Sequence, residues 1–64
     1  MEIGVTKTTE NGGEVIIVDD GKRYTGGWHY EDYGILLEAL TAEDFVVLND
    51  NRAKIEKVIK GLGE

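Results

Sequence analysis

His29 is the chain's one imidazole, and Glu31 and Asp32 follow it within three residues. An imidazole that close to carboxylates could shuttle a proton in general acid–base chemistry. The rest of the inventory leaves such a group little to work with. The chain has no Ser, Cys, Pro or Gln, so the commonest activated nucleophiles are missing. Without cysteine there is neither a disulfide nor a thiolate zinc site, and one histidine does not build a histidine metal site. Asp19-Asp20-Gly21 lacks the alternating ligands and the distal Glu of a calcium loop. Gly12-Gly13 and Gly26-Gly27 lack the spacing of a phosphate-cradling loop. These absences point to a protein that is not an enzyme and takes no cofactor and no metal.

Charge and aromatic groups are what remain to carry a function. The chain has a net charge of −6, and that charge is unevenly spread. Residues 31–50 hold Glu31, Asp32, Glu38, Glu43, Asp44 and Asp50 with no Lys or Arg. Residues 51–63 hold Arg52, Lys54, Lys57 and Lys60 against Glu56 alone. Lys57 and Lys60 suit the last turn of a helix, where cations complement the dipole, and the acidic balance excludes direct nucleic-acid binding. An acidic block either keeps a small domain soluble or meets and steers a basic partner. Trp28, Tyr30 and Tyr33 run into this block, and Trp and Tyr are frequent anchors of binding surfaces. Strand alternation sends Trp28 and Tyr30 to one face and His29 to the other, so part of the aromatic set, Trp28 first, belongs to a core. The candidate partner-binding residues are therefore Trp28, Tyr30, Glu31, Asp32, Tyr33, Glu38, Glu43 and Asp44.

The elements that must position these residues begin with a β-rich half. Residues 2–10 are rich in Ile, Val and Thr, and Asn11-Gly12 is the pair preferred by a tight type I′ hairpin turn. Val15-Ile16-Ile17-Val18 reads as a central strand with apolar side chains on both faces. Asp20-Gly21 is a second hairpin signal, with Asp19 and Lys22 placed as a cross-strand ion pair. A third strand runs from Lys22 through Tyr24 towards Trp28, with a bulge or bend at Gly26-Gly27.

In the second half, Tyr33, Leu36, Leu37 and Leu40 fall at helical spacing. A short helix over 31–40 is preferred to a strand at Gly34–Leu37, although Gly34 costs about 1 kcal/mol inside a helix. Thr41 looks like an N-cap, with Asp44 completing a capping box and Leu40 and Phe45 placed as a hydrophobic staple. Residues 42–60 form either one helix or a short strand at Phe45–Leu48 followed by a turn at Asn49-Asp50-Asn51. Both versions make Arg52–Lys60 helical and end it at Gly61 as a left-handed residue.

The expected architecture is one α+β domain over residues 1–64. It is a three-stranded antiparallel meander, order 1-2-3, packed against a C-terminal helix, with the second short helix at 31–40. The alternative is a small SH3-like five-stranded barrel capped by the same helix. A hydrophobic fraction of 41% is enough for a folded core. The first residues have no basic segment or apolar stretch of a signal peptide, and no apolar run exceeds four residues, so a cytoplasmic protein is expected. The expected function is a small acidic protein–protein binding module. It would modulate or inhibit a larger partner that is basic or handles nucleic acid, in the manner of phage-type, anti-CRISPR-like or DNA-mimic inhibitors. The alternative is a structural homo-oligomer or artificial scaffold. Lack of Pro and Cys suits a design, whereas irregularities such as Gly34 and Asn49–Asn51 do not.

Overall fold

The computed structural model describes residues 1–62. Four strands, β1 (Glu2–Lys7), β2 (Gly12–Asp19), β3 (Lys22–Glu31) and β4 (Gly34–Glu38), are followed by helices α1 (Ala42–Asp50) and α2 (Arg52–Leu62). The strands form one antiparallel open sheet in the order β1-β2-β3-β4. The class is α+β, as the composition and patterning indicate, with one strand more than the expected three. No described helix is long and apolar enough to cross a membrane.

The turn from β2 to β3 forms as its residues dictate. Asp20 and Gly21 have φ of 51° and 76°, the pair of positive values that a type I′ hairpin needs. Asp19 and Lys22 sit opposite each other beside it, but they form no ion pair. Asn11-Gly12 does not make the same turn, and neither residue has a positive φ. Pairing stops at Lys7 and Gly13, and Gly12 belongs to β2. The connection is a wider loop in which the Thr8 and Thr9 N–H groups both donate to the Gly12 carbonyl at 3.0 Å. Threonine contacts close it where a two-residue turn was expected.

The largest correction concerns residues 31–40, which hold no helix. Asp32 and Tyr33 form a two-residue turn, Gly34 takes φ 144°, and the chain returns as β4. That φ is one L side chains rarely adopt, so the glycine that counted against a helix is what the hairpin needs. The tertiary reason is the ladder. Leu37 lies opposite Trp28 and Ile35 opposite Tyr30, so alternate residues of β4 reach the core. The other members of the helical pattern are exposed: Tyr33, Leu36 and Leu40, the last at 100%. Nor do Gly26-Gly27 mark a bulge, since the β2–β3 register passes through them with no extra residue.

Thr41 caps α1 as anticipated, its side-chain oxygen accepting from the Asp44 N–H at 3.1 Å. The staple does not form, because Leu40 stands free in solvent. Phe45–Leu48 is helical, which removes both the short strand and the five-stranded barrel. The Asn49–Asn51 break is instead a junction of two helices. The Asn51 N–H donates to the Leu48 carbonyl at 3.1 Å, its side chain donates to the Val47 carbonyl at 2.8 Å, and its own carbonyl accepts from Ile55 at 3.0 Å. One residue thus closes α1 and opens α2. Helix α2 continues through Gly61, which has no left-handed φ.

Both helices cover the same face of the sheet. Val15, Ile17, Trp28 and Leu37 from the strands meet Leu48, Ile55 and Ile59 from the helices, all buried. Two glycines permit close packing, Gly13 of β2 against the β1 backbone and Gly26 of β3 against β4 and α1. A Cβ on Gly13 would lie 1.8 Å from the Thr6 carbonyl oxygen, and one on Gly26 would lie 2.4 Å from Leu48 Cδ2 and 2.3 Å from the Glu38 oxygen. Gly61 has nothing within 4 Å of the same position. Gly13→Ala and Gly26→Ala are each expected to lower unfolding free energy by about 1–3 kcal/mol, as overpacking does. Gly61→Ala is expected to raise it by about 0.5–1 kcal/mol. Urea denaturation of the three variants checks this, and a neutral Gly13→Ala would contradict the packing described.

Candidate functional site

Strand alternation gives the sheet a second face, which no described element covers. Its residues follow from the register. Glu2, Gly4 and Thr6 on β1 share it with Glu14, Ile16 and Val18 on β2, with Arg23, Thr25, Gly27, His29 and Glu31 on β3, and with Leu36 and Glu38 on β4. Four glutamates therefore face one arginine. Half-buried Ile16 and exposed Val18 lie on one side of the row that holds Glu14 and Glu38, and exposed Leu36 lies on the other. One row across the sheet reads Thr6, Glu14, Gly27, Glu38. With strands about 4.8 Å apart, Glu14 and Glu38 flank a backbone that Gly27 leaves bare. A shallow groove of about 350 Å³ forms there, lined by Glu14, Thr25, Gly27, Glu38 and Leu40 among others.

His29 stands beside this groove. Its Nε2 is 2.9 Å from Glu31 Oε1 and its Nδ1 is 3.3 Å from Glu38 Oε1. The ring lies between a β3 carboxylate and a β4 carboxylate on the open face. A doubly protonated ring donates to both carboxylates, whereas a neutral ring donates to one only. The sequence pairs His29 with Glu31 or Asp32; the sheet pairs it with Glu31 and with Glu38, seven residues further on. The described residues hold no group of three or more His, Cys, Asp or Glu side chains placed to bind a metal ion.

The eight candidate residues do not form one patch. Trp28 is only 2% exposed and its Nε1 donates to the Thr6 carbonyl at 3.0 Å, so it offers a partner nothing. Tyr30 packs edge-on against Trp28, with centroids 5.1 Å apart and planes at 84°. It lies on the helix side with the Lys7 ammonium 5.9 Å from its ring centroid. Tyr33 is fully exposed at the hairpin tip beside Asp32. Tyr30 and Tyr33 border a second hollow, of about 410 Å³, shared with Glu56 and Lys60 of α2. Glu31 and Glu38 belong to the open face. Glu43 and Asp44 sit in the first turn of α1, at the far end of β4 from the tip. Glu31 and Asp32 adjoin Tyr30 and Tyr33 at the hairpin tip and its hollow, whereas Trp28 is in the core and Glu38, Glu43 and Asp44 lie elsewhere.

The residues that complete the open face, Glu14, Thr25, Gly27 and Leu36, are absent from the sequence-derived set. A signal for them exists in the strand period. Once Trp28 is assigned to the core, Gly27, His29 and Glu31 must point the other way. Glu14 follows from Val15 and Ile17 by the same rule. Trp28→Ala is expected to cost about 3–5 kcal/mol of stability and Tyr33→Ala less than about 0.5 kcal/mol. Denaturant unfolding followed by far-UV circular dichroism separates the two, and equal costs would contradict the division into core and tip. No family model, no curated protein and no solved structure matches this chain, so its function is to be read from its own faces.

Proposed function

We propose that the chain is a small protein-binding module that docks a basic protein surface on the helix-free face of its sheet. It modulates or inhibits that partner by covering a surface that otherwise holds phosphate groups, as in a protein that handles nucleic acid. The observation that supports this is the presence on one uncovered face of Glu2, Glu14, Glu31 and Glu38, with Ile16 and Val18 on one side of the Glu14–Gly27–Glu38 row and Leu36 on the other. The carboxylates give orientation and a fast encounter, while these apolar side chains add area from which a partner excludes water. Over Gly27, the stem of a Lys or Arg has room to lie on bare backbone with its head directed to Glu14 or Glu38. Arginine suits such a place well, since its planar fork meets carboxylates in pairs.

The test uses a lysine- and arginine-rich peptide as the basic probe and follows amide shifts by NMR. Glu14, Thr25, Gly27, His29, Leu36 and Glu38 are expected to shift together, with affinity falling as salt rises. Glu14→Gln with Glu38→Gln is expected to weaken binding about tenfold, whereas Glu43→Gln leaves it unchanged. Shifts confined to the hairpin tip or helices, or an affinity indifferent to salt, would sink the reading.

A further inference from the structure

The two edges of the sheet are treated differently, and the difference singles out β1. The hydrogen-bond phase is set by the Tyr30 N–H donating to the Asn11 carbonyl at 2.8 Å. In an antiparallel ladder, alternate residues turn their N–H and C=O groups to the same neighbour. Gly13, Val15 and Ile17 therefore bond to β3, while Glu14, Ile16 and Val18 bond to Glu2, Gly4 and Thr6 of β1. This leaves Ile3, Val5 and Lys7 aimed away from the sheet. On β4 the outward residues are Ile35 and Leu37. There the Arg52 guanidinium donates to the Ile35 carbonyl at 2.6 Å, with Glu56 Oε1 3.2 Å from the same nitrogen. One edge is thus guarded by a half-buried, charge-supported bond. No described hydrogen bond outside the ladder reaches the outward groups of the other.

Natural sheets blunt free edges with proline, bulges, inward charge or a covering element. Strand β1 has no proline or bulge, its pairing with β2 is unbroken over all six residues, and its middle is Ile3-Gly4-Val5. We propose that two copies of this chain join antiparallel along β1 to make one continuous eight-stranded sheet. The register centred on Gly4 opposite Gly4 of the second copy fits best. It places Ile3 opposite Val5 and Met1 opposite Lys7, so every outward group from residue 1 to residue 7 finds a partner, about eight hydrogen bonds in all. Glu2 then faces Thr6, and no like charges meet. The twofold axis is perpendicular to the sheet, so helices of both copies share one side and both acidic faces share the other. Helix α2 packs on β1 and holds Val58 and Leu62 exposed. This inference is independent of what the open face binds.

The test needs no partner. Sedimentation equilibrium of the unmodified chain is expected to give the mass of two chains at high micromolar concentration, dissociating on dilution. Hydrogen exchange is expected to show Ile3 and Val5 amides protected in the dimer and released with dilution, while Gly4 and Thr6, bonded to β2, stay protected throughout. A Cβ at Gly4 meets only the Ile16 oxygen, at 3.9 Å, so Gly4→Cys fits. Facing residues of a non-hydrogen-bonded pair lie about 4.5 Å apart at Cα, within disulfide reach. With no native cysteine to compete, G4C is expected to crosslink at least tenfold faster than V46C on α1. A single-chain mass at all concentrations overturns the proposal. So does a dimer in which Ile3 and Val5 exchange freely, or one in which G4C crosslinks no faster than V46C.

Discussion

The indole of Trp28 is the piece around which this small molecule is assembled. It starts on β3, and its Nε1 reaches the Thr6 carbonyl on β1, two strands away. Gly13 stands between them in the row Lys7, Gly13, Trp28, so the ring crosses β2 over a residue with no side chain. That crossing binds three strands through one side chain and satisfies the ring's one polar group without water. The large ring also fixes its neighbours: Leu37 opposite it, Tyr30 at its edge, and the helices above. In a chain this short, where the core is a handful of side chains, one large residue contributes a disproportionate share of the buried apolar area.

Placing that core on one side has a direct result on the other. Both helices are needed to close over Val15, Ile17, Trp28 and Leu37, and none is left for the reverse face. The uncovered face therefore has to be stable in water. Glu14, Thr25, His29 and Glu38 make it so, with glycines lowering its relief. The polarity of that face is thus a consequence of layer count.

Much of the fold was legible where local chemistry and tertiary need agree. Asp20-Gly21 has the residues of its turn, Thr41 those of its cap, and the opposition of Trp28 and Tyr30 to His29 follows from the strand period. The failure at residues 31–40 is informative, because of the four residues that supplied the helical spacing Leu37 alone is buried and Tyr33, Leu36 and Leu40 are in solvent. Exposed apolar residues mimic a helix stripe, since periodicity records hydrophobicity and not burial. Asn51 misled for another reason: its side chain serves a helix junction, and a turn between strand and helix uses the same chemistry. The candidate site was legible as charge but not as place. Glu31 and Glu38 meet at His29 only because β4 folds back on β3, a contact that no linear stretch displays.

The order of the strands carries a consequence for how the molecule forms. Each strand pairs with the one before it in sequence, and each connection is a short loop or turn. Chain closure for every pairing is therefore local, and the loss of entropy on closing such loops is small. Topologies built from neighbouring pairings fold faster than those that wait for distant ones. With no proline in the chain, the slow isomerisation that delays many proteins has no site here. The Asp20-Gly21 hairpin offers a local starting point. The bond from Trp28 to β1 is the longest-range one among the strands, spanning 22 residues.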